Sequence, residues 1–434
     1  MNLFNALTKK SNKSKIVKGK AVYAAETILT NDNINIVADA CKVCWGTKGY
    51  TTYSEKCEYI AKRIKTGHES VIEHSNMVIQ MVFPAHEMES VLAFMSAAQY
   101  LNKKARVKGE NIYLLVGGSI RGYKEAFRNM LDMTNVVLDT IRTQIYMNLD
   151  KCYFADFIQD GIMNDHSFGY YPDEETEVTG YCNKVEVEDD RVTIVNVDNI
   201  DEAASKMYDV FTFDDLLDMM TVTIIFDKMS RIITQQLTRH RNGITQESGR
   251  YVDLREYGFN SPDKFKPKYE ADKTYFIERF KEYFTLKDLG DALMDIYEDL
   301  REQGLDKEDA RGYLPQNYAS GKVYMTFTYR HLLKFLQLRT HKSAQPEIKQ
   351  YADVIDNAVM DSFRASLNTI NVYKYLDPMY LGTRISPDYT DVDSHLTKKI
   401  HTVEEEIEVS EDGGSEEVIL NTVDKQEDIA SEDI

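Results

Sequence analysis

The sequence lacks several features that would place it in a specialised class of protein. No apolar run approaches the roughly 20 residues that a membrane helix needs, and residues 1–20 carry six lysines without the apolar stretch of a signal peptide. Only eight prolines and 21 glycines occur among 434 residues, which excludes collagen-like and low-complexity chains. The composition indicates a soluble globular protein, and we expect it in the cytoplasm.

An excess of basic charge is also missing. The formal net charge is −19, and residues 404–434, with thirteen acids and one base, account for −12 of it. A protein that binds duplex DNA normally carries a basic stripe that neutralises phosphates. The charge therefore argues against duplex nucleic acid as a partner, and any recognition of phosphate must be local.

Cysteine is scarce and odd in number. An odd count spread over a long chain is typical of reduced thiols rather than of a disulfide framework. One C-x-x-C pair lies in an apolar helical stretch without a second pair, so we predict buried structural thiols there rather than a zinc or redox site. The five cysteines are Cys41, Cys44, Cys57, Cys152 and Cys182.

Periodicity and composition divide the chain into four parts. Alternating helical and β-rich runs predict an α+β fold, with mixed helices packed on a mainly antiparallel sheet and a large inserted subdomain. Helices are predicted over 87–103, 122–149 and 272–302, among others. The predicted parts are a basic flexible arm (1–20), a main core (21–83 and 221–380), the inserted subdomain (84–220) and an acidic disordered tail (403–434).

No repeat of solenoid period is present, but two stretches share a weak similarity. Residues 111–128 and 322–338 both run from a strand into a helix, and each has an arginine at the junction, Arg121 and Arg330.

The strongest candidate site is an arginine cluster. Residues 231–255 hold five arginines and only two acids in a strongly acidic protein. The guanidinium fork matches phosphate oxygens, and Asn242-Gly243 marks a tight turn that would let Arg239, Arg241 and Arg250 converge on an anion. A solvated charged face is the alternative on charge alone.

Two further segments carry polar residues in suggestive patterns. In residues 67–74 the histidines His68 and His74 are six apart and follow a glycine, so the helical spacing of a zinc site is missing and no metal is predicted. Ser70 and its neighbours could instead bond a polar cofactor, or form a helix cap with Glu73. Residues 329–339 combine an apolar stripe with cations at its margins.

Taken together, these motifs resemble the flavin-dependent thymidylate synthases. The similarity is carried in order by Gly-His-Glu-Ser with Glu-His (67–74), by Arg-His-Arg with its Glu, Ser, Arg, Tyr sequel (236–251), by residues 302–315, and by residues 330–348. The resemblance implies a homotetramer with active sites at subunit interfaces. It also implies that FAD takes hydride from NADPH, and that carbon from methylenetetrahydrofolate is transferred to dUMP and reduced, giving dTMP. That chemistry needs no cysteine nucleophile.

The resemblance also implies roles for individual residues. Arg339 is the residue expected to activate the uracil ring, because a fixed guanidinium can stabilise developing negative charge. The residues implied around the flavin cofactor are His68, Ser70, Glu73, Arg239, His240, Arg241, Glu247, Thr328, Arg330 and Lys334. Those implied to hold dUMP are Gln236, Arg239, Glu247, Ser248, Arg250, Arg311 and Arg339.

The sequence departs from the family pattern in several places. The loop before Ser248 is one residue shorter than usual, Thr328 and Lys334 stand where asparagines are common, and Pro346 replaces a tryptophan. Residues 84–220 have no counterpart in compact members. Two alternatives therefore stay open: an enzyme that leaves another one-carbon group, such as hydroxymethyl, on dUMP, and a catalytically silent nucleotide-binding protein.

Overall fold

The structure is a computed structural model, and it consists of helices and antiparallel sheets. It describes residues 14–18, 21–30, 34–45, 50–169, 184–187, 189–240, 243–254, 274–316, 321–367 and 419–420. The prediction of an α+β fold is confirmed. Most of the arm and of the acidic tail, together with Arg241 and Cys182, lie outside the described residues.

The first sheet contains six strands, all paired antiparallel in the order β1-β2-β3-β5-β4-β12. Its central strand β3 is rich in Val, Ile and Met, which suits a strand that is buried on both faces. The strands are β1 (Ser14–Lys18), β2 (Ala21–Thr30), β3 (Asn76–Pro84), β4 (Asn102–Lys108), β5 (Asn111–Ser119) and β12 (Ile419–Leu420).

The second sheet contains four antiparallel strands in the order β6-β7-β11-β8, and a separate two-stranded hairpin joins β9 to β10. The central strand β7 reads Thr-Val-Thr-Ile-Ile-Phe, a β-branched run that favours strand structure. The strands are β6 (Val192–Val197), β7 (Thr221–Phe226), β8 (Gly243–Gln246), β9 (Tyr275–Ile277), β10 (Glu282–Phe284) and β11 (Val323–Thr328).

Most of the longer helices begin at a side chain that caps their free N–H groups. Ser119 and Thr328, the last residues of β5 and β11, each accept a hydrogen bond from the third residue of the helix that follows. The helices are α1 (Ile34–Trp45), α2 (Tyr53–Lys65), α3 (Met88–Ala97), α4 (Ile120–Asn129), α5 (Val136–Asn148), α6 (Ala155–Gln159), α7 (Ile200–Lys206), α8 (Phe213–Leu217), α9 (Arg231–Leu237), α10 (Leu286–Glu302), α11 (Lys307–Ala310), α12 (Tyr329–Arg339) and α13 (Pro346–Leu367). Glu69–His74 forms a 3₁₀ segment.

Two large hydrophobic cores meet at the first sheet. One core lies between that sheet and α1 to α5, and the other covers the second sheet, α12 and α13. Ile28, Val78 and Leu115 project from the opposite face of the first sheet into the second core. The two sheets therefore pack on each other, and the residues between them are fixed from both sides.

The buried side chain of His74, at the end of the 3₁₀ segment before β3, forms a polar link to the second sheet. Its Nδ1 lies 2.8 Å from the hydroxyl of Thr326 in β11, and its Nε2 lies 2.9 Å from the hydroxyl of Thr245 in β8. Burial lowers the pKa of His74 to about 3, so the ring is neutral at pH 7.

Three helices predicted from the sequence are wrong in part. The stretch 87–103 forms α3 only to Ala97 and then turns into β4, and 122–149 is broken into α4 and α5 at Asn135, whose side chain caps α5. Residues 275–284 form the β9–β10 hairpin, and α10 begins after Thr285, which forms a capping box with Asp288. In the second and third stretches a cap residue, Asn135 or Thr285, lies inside the predicted helix and starts a new helix.

The predicted domain boundaries stay a prediction, but the strands cross them. β4 and β5, from the predicted insertion, extend the sheet that holds β2 and β3, while β6 joins the sheet of β7 and β11. Within the described part of the chain, no helix combines the length and apolarity that crossing a membrane requires.

We expect His74→Gln to flatten the dependence of stability on pH. Below pH 6.5 the unfolded chain protonates this histidine and the folded chain does not, so the parent loses up to about 1.4 kcal/mol per pH unit as pH falls from 6.5 towards 3. Urea unfolding at pH 6.5 and 5 measures the slope, and His86→Gln, at an exposed histidine, serves as the control. Equal slopes for His74→Gln and parent would contradict this role.

Candidate functional site

Arg339 lies in the last turn of α12, where it contacts two other predicted site residues. Its Nη1 donates a hydrogen bond to Oε1 of Gln236 at 3.4 Å, and its Nε and Nη2 both lie 3.3 Å from Nε2 of His240. The amide of Gln236 also donates to Gln345. The structure thus brings together three predicted site residues, of which Gln236 and Arg339 were assigned to the nucleotide and His240 to the flavin cofactor.

Positive charge is crowded in this group. Burial and the neighbouring Arg239 lower the pKa of Arg339, and burial together with Arg339 lowers the pKa of His240 to about 4. Among the described residues, no carboxylate pairs with Arg239 or Arg339. Within this part of the structure, the half-buried Arg339 and the exposed Arg239 lie near each other without an acid partner, which favours an anionic ligand.

Contacts among α9, α12 and α13 fix the position of the cluster formed by Gln236, His240 and Arg339. The backbone N–H and the hydroxyl of Ser230, at the start of α9, each donate to the Glu347 carboxylate of α13 at 2.7 Å. The ring of Phe335 packs edge-on against His240, with centroids 5.1 Å apart. These contacts tie α9, which carries Gln236, to α12 and α13.

A second group of predicted residues follows β8. The Glu247 carboxylate accepts a hydrogen bond from the backbone N–H of Lys322 at 3.0 Å, and Gly321 has a φ of +79° and would clash with that carboxylate if it carried a Cβ. Arg250 pairs with Glu308 at 2.8 Å. Beside Ser248, Gly249 leaves room for the side chain of Arg311, because a Cβ there would lie 3.3 Å from its Cδ.

The third group lies at the start of α12. Thr328 caps the helix, and Lys334 is exposed one turn further along it. Arg330 donates to Asp218 at 2.6 Å and to Asp214 at 2.8 Å, so its charge is already balanced by acids. Arg330 is therefore a less available anion ligand than Arg339.

The fourth group is the 3₁₀ segment Glu69–His74 with the residue before it. Glu73 pairs with Arg121, and burial raises the pKa of Glu73. His68 packs edge-on against Trp45 at 4.9 Å, and Ser70 is exposed.

A cavity of about 480 Å³ lies between the third and fourth groups, within the size range of ligand pockets. Its walls come from the 3₁₀ segment, the ends of β5 and β11, and the first turns of α4 and α12. Among the predicted residues it contains Glu73 and Thr328, and among residues that sequence reasoning did not select it contains Asn76, Asn102, Ser119, Arg121, Asp218 and His331. The arginine at each strand–helix junction was the signal that could have found Arg121.

The predicted site residues thus form a band rather than one cluster. Gln236, Arg239, His240 and Arg339 lie together, while Glu73 and Thr328 line the cavity. His331 lies between the two, because it lines the cavity and, when protonated, would lower the pKa of His240. The roles assigned to individual residues stay predictions.

Comparison with known proteins points to one family. Residues 198–363 match the family model described as thymidylate synthase complementing protein. The flavin-dependent thymidylate synthase of Nitratidesulfovibrio vulgaris is 33% identical over 144 residues, which cover 32% of this chain and 56% of the relative. That of Pyrococcus abyssi is 31% identical over 140 residues, covering 32% and 54%. The chain spans about half the length of the curated relatives that it matches.

Two solved structures show weaker likeness. The flavin-dependent thymidylate synthase ThyX of Helicobacter pylori, complexed with FAD and dUMP, shares 22% identity over 36% of this chain and 76% of its own, with a TM-score of 0.25. The UMP/dUMP methylase PolB of Streptomyces cacaoi, bound with 5-Br UMP, shares 21% identity over 41% and 92%, with a TM-score of 0.29. Scores this low support no conclusion about the present chain.

We expect Arg239→Gln to stabilise the ligand-free protein while weakening its binding of anions. Removing one of the crowded cations relieves repulsion with Arg339, a gain on the order of a few tenths of a kcal/mol at low ionic strength. Urea unfolding in low salt measures the gain. Arg250→Gln is the control, since that arginine has an acid partner; if Arg239→Gln were instead the less stable variant, the cluster would not be strained by charge.

Proposed function

We propose that the chain, whose residues 198–363 match the thymidylate synthase complementing protein model, is a flavin-dependent thymidylate synthase. It converts dUMP to dTMP, with methylenetetrahydrofolate as the carbon donor and NADPH as the reductant. The proposal includes the homotetramer, with active sites at subunit interfaces, and the cytoplasmic location expected from the sequence.

The observation that carries the proposal is the group formed by Arg339, Arg239, His240 and Gln236. A nucleotide monophosphate offers this group two things, an anionic phosphate and a uracil edge with carbonyl oxygens. In the described part of the chain no acid pairs with Arg239 or Arg339, and such cations suit the phosphate. The planar fork of an arginine suits the uracil edge.

The contacts of Arg339 define how it would act. At pH 7 His240 is neutral, because its pKa is about 4, so its Nε2 can accept a hydrogen bond from the guanidinium instead of repelling it. Gln236 accepts a second hydrogen bond from Arg339. The two acceptors orient the fork, which then stabilises negative charge that develops on the uracil ring.

The cavity beside this group fits part of a flavin dinucleotide. Amides, hydroxyls, Arg121 and the carboxyl groups of Glu73, Glu125 and Asp218 line it, and the first turns of α4 and α12 face it, an arrangement that suits the polar edge of a ring system rather than a phosphate. Thr328 and Glu73 would contact the cofactor inside the cavity. Arg239 and His240 would contact the part of it that lies nearest to Arg339 and Gln236. When bound, FAD supplies the hydride that it receives from NADPH.

Three measurements on the purified full chain test the proposal. The protein should show an oxidised-flavin absorbance spectrum, dUMP should perturb that spectrum, and NADPH with methylenetetrahydrofolate should give dTMP. A colourless protein that binds dUMP without FAD would indicate the catalytically silent alternative. A hydroxymethyl product would indicate the related transferase.

Arg339→Lys should keep the fold and the bound flavin but lose most of its turnover, since a single ammonium cannot reproduce two parallel donors. Steady-state dTMP formation, with unfolding midpoint and flavin content as folding checks, measures the effect. Arg142→Lys, an arginine paired with Asp139 on α5, is the matched control and should behave like the parent. Parental turnover in Arg339→Lys would remove Arg339 from the activating role.

A variant with all five cysteines replaced by serine or alanine should still form dTMP. Burial raises the pKa of Cys41 and Cys44, and burial together with the neighbouring Cys57 and Asp150 raises that of Cys152, so these thiols are poor nucleophiles at pH 7. Cys182 lies outside the described residues, and the variant tests it as well. Loss of dTMP formation in a folded, flavin-loaded variant, restored by reverting one position, would show a thiol mechanism.

A further inference from the structure

The two larger sheets are built in the same way. Four successive strands lie in the order β2-β3-β5-β4 in one sheet and β6-β7-β11-β8 in the other, all antiparallel. Each sheet has two helices between its first and second strands, one helix before the third, and two after the fourth. We name residues 21–148 the first unit and residues 192–367 the second unit. The second unit differs by the hairpin and helices inserted between β8 and β11.

The strand register agrees at the level of single residues. Asn76 pairs with Ser119 in the first unit as Thr221 pairs with Thr328 in the second, and Ser119 and Thr328 both cap the next helix. The register of β2 against β3 shifts after Thr27, and that of β6 against β7 shifts at the corresponding place, after Ile194. A shared bulge at one position indicates a common origin.

An ion pair recurs at the same place in both units. Glu73, three residues before Asn76, pairs with Arg121, the second residue of α4. Asp218, three residues before Thr221, pairs with Arg330, the second residue of α12. The arginines at the two strand–helix junctions therefore occupy corresponding positions.

The contacts between the units are reciprocal. His74 of the first unit packs on Thr326 of the second, and Met219, the residue that corresponds to His74, packs on Gly117, the residue that corresponds to Thr326. The backbone carbonyl of Glu73 lies against Gly243, and the carbonyl of Asp218 accepts a hydrogen bond from Asn102, which corresponds to Gly243. Reciprocal contacts of this kind define a two-fold arrangement.

The two units do not correspond in the residues proposed to bind the nucleotide, which are Gln236, Arg239, His240 and Arg339 of the second unit. The position nine residues after the junction arginine is Arg339 in the second unit and Met130 in the first, and Met95 takes the place of Gln236. The three residues that correspond to Arg-His-Arg are Ala98, Gln99 and Tyr100. Conversely, the Gly-His-Glu-Ser segment occurs only in the first unit, and the family match at 198–363 covers only the second.

We propose that the chain is an internal duplication whose two units pair about a pseudo-two-fold axis, and that only one of the two related nucleotide sites is retained. The second unit supplies the cations, and the first unit supplies the 3₁₀ segment that packs against it. This rests on the proposed function for the identity of the ligand, and it fixes one dUMP site per chain of two units.

Calorimetric titration of the full, flavin-loaded chain with dUMP tests the number of sites. We expect one dUMP per chain, complete loss of binding in Arg339→Ala, and parental binding in Met130→Leu at the corresponding position. Two dUMP per chain, or half of the binding capacity left in Arg339→Ala, would overturn the inference and leave the proposed function intact. Absence of any dUMP binding by the parent would refute the proposed function, and the second experiment then decides the inference.

The second experiment needs no ligand. It replaces the contact between His74 and Thr326 with a copy of the corresponding contact between Met219 and Gly117. His74→Met alone removes the hydrogen bonds from the imidazole to the hydroxyls of Thr326 and Thr245, and it should lower the urea midpoint of unfolding. The Thr326 hydroxyl keeps its hydrogen bond with Thr223, at 2.8 Å. His74→Met with Thr326→Gly recreates the methionine-on-glycine contact seen at Met219 and Gly117. We expect the double variant to unfold at a higher urea concentration than His74→Met. A lower midpoint than the single variant would show that the two contacts do not correspond.

Discussion

The bonds from His74 to Thr326 and Thr245 are the contact on which the site depends. They join the 3₁₀ segment that follows α2 to two strands of the second sheet, 171 and 252 residues away in sequence. Because the ring is fully buried and neutral, it serves as a bridge between two hydroxyls and not as an acid or base. Glu73 and the cavity beside it are positioned by this contact.

The arginine cluster illustrates a different constraint. Arg339 and Arg239 repel each other in the ligand-free protein, and a fold selected for stability alone would place an acid between them. The structure does so for Arg330, with Asp214 and Asp218, and for Arg250, with Glu308. The arginines that pair with acids, Arg250 and Arg330, stabilise the fold. Arg239 and Arg339, which have no acid partner among the described residues, are suited to binding a ligand.

The sequence predicted the strands that open residues 111–128 and 322–338 and the helix that follows each of them, because periodicity and β-branched runs specify these elements locally. It did not predict that α3 ends at Ala97, and it did not predict the β9–β10 hairpin. The bounds of these elements depend on helix caps and on tertiary strand pairing. The site residues of the second unit could be selected from charge and motif alone. Arg121, Asn76 and Asp218 could not, since their place at the cavity depends on how two sheets pack, although the arginine at both strand–helix junctions was visible in the sequence.

The covalent connection between the two units has a consequence for dilution. In an assembly of separate subunits, a site built from two surfaces disappears when the concentration falls below the dissociation constant of that interface. Here the surface around His74 and the surface around Thr326 belong to one chain, so their encounter is intramolecular and their effective concentration does not depend on how much protein is present. The contact between these two surfaces therefore remains formed at any abundance of the protein.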